Sequence, residues 1–216
     1  MKFYGFWRSL AAYRVRIALN IKNVEAEQIP VNLMTGQQRL DEYRAINPQM
    51  VLPALFDGEG ATLFQSMAIL EYLEEKYPQP AMLPADLRGR ARVRGLAQIV
   101  VSDSHPMVVP RIREYLGKQL HHDEAEVLAW AQTWITAGLS AIETHLSRDQ
   151  ETGLYCHGDT ATIADICLMS LTAGNMFFQG NLDAFPTIKR IETQCMAQDA
   201  FARAHPLRQP GAPAKV

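Results

Sequence analysis

The spacing of apolar and polar positions changes several times along the chain, and each change predicts an element. Residues 2–6 form a short apolar, aromatic run of strand type, and after it Ala11, Val15, Ala18 and Lys22 recur at helical spacing. A strand therefore turns into a helix around Arg8 and Ser9, and the helix should end near Lys22 and Asn23. Residues 27–33 read as a strand in which Pro30, having no N–H for a ladder, argues for a sheet edge. A turn at 35–38 and a short helix at 40–46 follow. Residues 47–55 run from a turn into a strand with Pro53 at its mouth. Residues 56–60 carry Asp57, Gly58 and Gly60 and predict a hairpin, 61–64 a returning strand, and Gln65-Ser66 the start of an amphipathic helix through Tyr77. The order strand, helix, strand, helix, hairpin, helix predicts an α/β half with one parallel and one antiparallel strand pair.

Pro78, Pro80 and Pro84 punctuate a linker, and everything beyond it reads as helical. A long helix is expected at 87–105, with Arg88, Arg90, Arg92 and Arg94 on a solvated or interfacial face. Pro106 and Pro110 break it ahead of a short helix at 111–116. The next long helix, at 123–146, offers Trp130, Trp134 and Leu139 as core anchors. Thr162 with Asp165 three residues on makes a capping box before an apolar helix that reaches about Phe178. A last clear helix spans 188–196, and 209–216 is an exposed Pro/Ala tail. The fold class is thus α/β + all-α, with domains at 1–80 and 87–216.

The 216 residues, 48% of them hydrophobic, suffice for two modest cores. Charge is balanced at −2, so no overall field draws the protein to nucleic acid or anionic lipid. Cys156, Cys167 and Cys195 are odd in number and without a CxxC pair, which suits reduced core thiols in a cytoplasmic protein. No metal-ligand spacing occurs. No basic segment with an apolar core opens the chain and no run approaches about eighteen apolar residues, so neither secretion nor membrane spanning is expected.

Three places carry candidate chemistry. Ser9 lies in the first strand-to-helix turn, where a hydroxyl caps backbone N–H groups and where those groups favour a negative charge. Arg8 beside it adds a planar fork suited to a carboxylate. The plain alternative is a capping serine and a solvated arginine. At Leu52-Pro53 a cis bond would turn the Leu52 N–H and C=O out of the sheet toward a ligand; an ordinary strand-start proline is the alternative. At Gln65-Ser66 a carboxylate would meet a hydroxyl and a helix dipole together, unless Ser66 is a cap and nothing more.

Taken together and in this order, these pieces resemble a soluble glutathione transferase. The resemblance covers nearly the whole chain: a thioredoxin-like N-terminal domain with the Leu52-Pro53 turn and the Gln65-Ser66 pair, a proline-rich linker, and an all-helical C-terminal domain with the Thr162/Asp165 box. Arg8-Ser9 followed by Tyr13-Arg14-Val15-Arg16-Ile17-Ala18-Leu19, with Asn47-Pro48 and His105-Pro106, looks like the zeta class, which includes maleylacetoacetate and maleylpyruvate isomerases. Trp7 and Arg111-Ile112 with Glu114-Tyr115-Leu116 look most like its bacterial branch. Zeta proteins usually carry further hydroxyl or thiol side chains where this chain has Leu10 and Ala11. The isomerases often carry an arginine where it has Met176 and Phe177.

The resemblance implies glutathione as cofactor, held by Ser9, Gln38, Leu52, Pro53, Gln65, Ser66 and His105. It implies a small carboxylate substrate met by Arg8, Arg111 and Met176, with Ser9 and Arg8 catalytic, and a homodimer. The implied reaction is reversible thiolate addition to a maleyl-type keto acid, with rotation about the former double bond. Glutathione conjugation or dehalogenation of a small α-halo acid, or a non-enzymatic binding role, are the alternatives. Lowering a thiol by about two units from about 8.5 takes roughly 2.7 kcal/mol. One hydrogen bond to a charged acceptor supplies about 1.5–3 and a helix N-terminus about 0.3–1, so Ser9 and its helix suffice without Leu10 or Ala11.

Overall fold

The computed structural model describes residues 1–213, which divide into two compact units, Met1–Ala81 with residues 198–213, and Met82–Ala197. In chain order the elements are β1 (Lys2–Gly5), α1 (Leu10–Ile21), β2 (Glu27–Pro30), α2 (Asp41–Ile46), β3 (Ala54–Phe56), β4 (Leu63–Phe64) and α3 (Ser66–Lys76). Then come α4 (Leu87–Gln98), α5 (Pro110–Lys118), α6 (Glu124–Arg148), α7 (Ile163–Phe177), α8 (Pro186–Met196) and α9 (Asp199–Ala204).

The first unit is built on a four-stranded sheet of order β2-β1-β3-β4. β1 pairs parallel with β2, Lys2 opposite Glu27 and Gly5 opposite Pro30, and antiparallel with β3, Phe3 opposite Leu55 and Tyr4 opposite Ala54. Pro30 stands at the end of an edge strand, where its missing N–H breaks no interior ladder. β2 ends there, short of the expected 33. Every residue of α1 from Leu10 to Leu19 is buried, as befits a helix enclosed on most sides by neighbouring elements.

α1 and α3 run side by side in one direction. Arg14 Nε donates to Ser66 Oγ at 3.0 Å and Lys22 Nζ to Glu74 Oε2 at 2.6 Å, each pair 52 residues apart in sequence. The two buried links are therefore in register along both helices. The segment 198–213, expected with the helical half, belongs to this first unit. Asn20 Nδ2 donates to Ala200 O at 2.8 Å, Arg16 Nε to Ala204 O at 3.0 Å, and Phe201 is fully buried. The expected tail begins on anchored chain, since Gln209 Nε2 donates to Arg203 O at 2.7 Å. Its residues 214–216 lie outside the described ones.

In the second unit α7 is the central helix, buried from Ile163 to Asn175. Thr162 and Asp165 form the capping box. The buried Asp165 carboxyl accepts the N–H groups of Thr162 and Cys156 and the Thr162 hydroxyl, each at 2.8 Å. The helix expected over 87–105 is not continuous. α4 ends at Gln98 and passes through a π-helical turn, Ile99–Ser104, into a 3₁₀ turn, His105–Val108. The wider turn seats Ser104 against Gly138 of α6, where an added Cβ would collide with the Ser104 side chain. The tryptophans are not the core anchors of α6. Trp134 is 36% exposed, and the buried stripe is Ala131, Ile135, Gly138, Leu139, Ile142 and Leu146. Trp130 needs a partner for its indole N–H, which it finds at Met107 O, 2.8 Å away. Among the described residues no helix is long and apolar enough to cross a membrane.

Candidate active site

The sheet register gathers the first unit's candidate residues at one end. β1 leads out at Gly5 into the turn bearing Arg8 and Ser9, and Tyr4, near that end, pairs with Ala54 at the start of β3, just after Leu52-Pro53. Ala54 also pairs with Phe64, the last residue of β4, so Gln65 and Ser66 leave the sheet at the same end. β2, parallel to β1, sends its following connection, with Gln38, out of that end too.

Ser9 is the N-cap of α1, with φ −70° and ψ 114°, and its Oγ accepts the Ala12 N–H at 3.2 Å. No acidic side chain occupies the first turn of α1, so its partial positive charge is left for a ligand. Leu10 and Ala11 are buried. Arg8 is half-buried. Behind the turn stands Arg16, which sequence reading passed over: its Nη1 and Nη2 donate to Phe6 O and Trp7 O, each at 3.3 Å. With Nε on Ala204 O, one guanidinium fixes the backbone entering the turn and the C-terminal segment together. Burial lowers its pKa to about 10, partly offset by Tyr13, so it stays charged at neutral pH. A second arginine on a helix otherwise apolar all round was the available signal.

The Leu52–Pro53 bond is cis, and both residues are buried. Val51 O, next to it, accepts Tyr43 OH and Asn47 Nδ2, each at 2.8 Å, while Asn47 Oδ1 accepts Gln49 N–H at 3.1 Å. Asn47, 2% exposed, thus closes the loop that presents Leu52. Gln65 occupies the N-cap position of α3 without a side-chain capping bond, and its φ of 66° with ψ 118° is a positive-φ backbone for a residue with a Cβ, a state that costs about 1–3 kcal/mol and collects at ligand clamps. Its amide donates to Gln49 Oε1 at 2.9 Å. Ser66 is the first residue of α3 and does not cap it; its hydroxyl is engaged by Arg14 instead. Gln38 is buried, and its Oε1 has no hydrogen-bond partner among the described residues.

The remaining candidates belong to the second unit. His105 opens the 3₁₀ turn, Arg111 is exposed in the first turn of α5, and Met176, 40% exposed, lies in the last turn of α7. Arg113 stacks over the Phe178 ring at 5.3 Å and donates to Val108 O at 3.1 Å. That arginine draws the start of α5 to the end of α7, the neighbourhoods of Arg111 and Met176.

Residues 1–75 match the family model for the glutathione S-transferase N-terminal domain. The chain is 47% identical over 210 residues to maleylpyruvate isomerase of a Ralstonia species, covering 97% of this chain and 99% of that protein. Among solved structures it resembles a holo maleylpyruvate isomerase described as a bacterial zeta-class glutathione S-transferase, with TM-score 0.96, 46% identity, and 99% and 100% of the two chains covered. It also resembles maleylacetoacetate isomerase of Methylobacterium extorquens AM1 with bound malonate and glutathione, with TM-score 0.97, 48% identity and the same coverage. The chain belongs to the glutathione S-transferase family, within the zeta-class group of maleylpyruvate and maleylacetoacetate isomerases.

Proposed function

We propose that this chain is a glutathione-dependent cis–trans isomerase of a maleyl-type keto acid, maleylpyruvate or maleylacetoacetate. The observation that carries the reading is Ser9 Oγ at the N-terminus of α1, already accepting a backbone N–H and so able to donate its own proton outward. The residues present fit glutathione: two helix N-termini without acidic first turns suit its carboxylate and thiolate, and the buried Gln38 Oε1, without a partner among the described residues, calls for an N–H donor.

When bound, glutathione supplies a thiolate whose reversible addition to the cis double bond permits rotation. Ser9 donates its hydroxyl hydrogen to that sulfur, and the dipole of α1 favours the anion. Leu52 offers its backbone to the cysteinyl unit, with Pro53 fixing its direction. Gln65, Ser66 and α3 take the γ-glutamyl carboxylate, and Gln38 and His105 meet the remaining polar groups. Arg8 and Arg111 hold the substrate carboxylate and stabilise charge developing on the neighbouring carbonyl oxygen. Met176 gives the substrate an apolar neighbour. The first unit is the glutathione-binding domain and the second the substrate-binding domain.

The reading extends to a cytoplasmic homodimer acting in the breakdown of aromatic compounds. Light scattering at micromolar concentration that gives the 24.2 kDa monomer mass would remove the dimer. The function is tested by following glutathione while maleylpyruvate, maleylacetoacetate and dichloroacetate are offered separately. Isomerisation of a maleyl acid with glutathione undiminished supports the reading. Release of chloride from dichloroacetate in the presence of glutathione, or net loss of glutathione to a conjugate, with no isomerisation, supports a dehalogenating or conjugating enzyme instead.

A further inference from the structure

The N-terminus of α3 departs from that of α1 in one respect. Ser9 caps its own helix, whereas no side chain caps α3, although Ser66 is at hand, because the Ser66 hydroxyl is engaged across the helix pair by Arg14 Nε at 3.0 Å. Arg14 is 2% exposed and Ser66 5% exposed. A buried arginine side chain is costly to place, and here it lies beside the first turn of α3.

A serine hydroxyl has one hydrogen to give and two lone pairs to accept with. Arginine only donates, so its N–H occupies a lone pair and leaves the Ser66 hydrogen to be given elsewhere. The same bond directs the Ser66 oxygen toward α1, and no side chain makes a capping bond to the N–H groups of α3. We propose that Arg14 is a positioning residue: it holds Ser66 as an outward donor and keeps the α3 N-terminus open, so that both meet a ligand carboxylate. The inference rests on the reading of that terminus as the site of the γ-glutamyl carboxylate. Lys22 and Glu74, bonded at 2.6 Å further along, also tie α1 to α3, so the helix pair keeps a second buried link in Arg14 variants.

The test compares wild type, Arg14→Lys, Ser66→Ala and the double variant by calorimetric titration with glutathione and with γ-aminobutyryl-cysteinylglycine, which lacks only the γ-glutamyl carboxylate. Arg14→Lys is expected to weaken glutathione binding about tenfold, the scale of one charge-assisted hydrogen bond, and to leave the decarboxylated peptide's affinity within about twofold. Ser66→Ala should lose a similar factor and the double variant little more, since Arg14 acts through Ser66. Glutathione KM should rise while kcat at saturation is kept. Arg14→Gln replaces Arg14→Lys if the latter does not fold. Equal losses for both peptides, fully additive losses in the double variant, or unchanged glutathione affinity each overturn the proposal. Wild type that binds glutathione but isomerises nothing overturns the functional reading alone, and wild type that binds no glutathione overturns both.

Discussion

Ser9 Oγ accepts the backbone N–H of Ala12 at 3.2 Å, so the residue that begins α1 has one lone pair committed to its own helix. Its hydrogen is the group left to point away from the backbone, toward whatever anion sits at the helix end. Arg14 imposes the same directionality on Ser66 by a different donor. Two hydroxyls at one end of the sheet are therefore set as donors. Neither needs help from positions 10 and 11, whose side chains are buried.

The reactive thiol in this account comes with the cofactor, and the chain's own cysteines are inert. Cys156, Cys167 and Cys195 are buried thiols. Burial pushes the Cys156 and Cys195 thiols up, and Asp165 reinforces the shift. The native protein should show no reactive thiol toward a disulfide reagent near pH 8, and all three after unfolding. Fast reaction of the native protein would contradict this.

His205 makes the first unit's stability sensitive to acid. Burial holds its pKa below the ordinary 6.5, with Arg208 and Arg16 adding to the shift. Its ring lies edge-on to Tyr13 at 5.9 Å, and its Nδ1 accepts the Leu207 N–H at 3.3 Å, a bond that needs an unprotonated nitrogen. A lowered folded-state value means that the unfolded chain takes up the proton first. The stabilisation is complete above about 6.5 and is lost as pH falls through the lower folded value. Thermal melts at about pH 7.5 and pH 5 should show a larger drop for wild type than for His205→Gln. Equal drops would remove His205 from the account.

Met176 is 40% exposed at the end of α7. An arginine there would meet a substrate's distal carboxylate in partly wet surroundings, where an ion pair is worth about 0.2–1 kcal/mol. Met176→Arg is expected to raise kcat/KM for a maleyl diacid about twofold to fivefold and leave a mono-acid analogue unchanged. Steady-state kinetics on the two substrates decides it; a loss for the diacid would contradict the placement of its far end near Met176.

What the sequence made legible was what local pattern encodes. Pro30 marked an edge strand, the hairpin glycines separated β3 from β4, and Thr162 with Asp165 marked the start of α7. What escaped were relationships made only by packing. α9 is a single short helix whose buried side chains, Phe201 and Ala204, are too few to set a period. Arg16 and Ala204 are 188 residues apart when they bond. The π turn after Gln98 answers to Gly138 on another helix, which no local spacing reveals. Ser66 looked like a cap because its position suits one, and only the approach of Arg14 from α1 gives its hydroxyl another use. At the site the residue types were readable and the direction of each hydrogen bond was not.

The most direct test of the central claim is an ultraviolet titration of glutathione thiolate bound to wild type and to Ser9→Ala. The account predicts a bound-thiol pKa about two units below the ordinary value of about 8.5 in wild type, returning most of the way in Ser9→Ala. Glutathione affinity should be nearly kept, and turnover reduced by about 10²-fold or more. An unchanged titration midpoint in Ser9→Ala would contradict the account and move the activation of the thiol to another group.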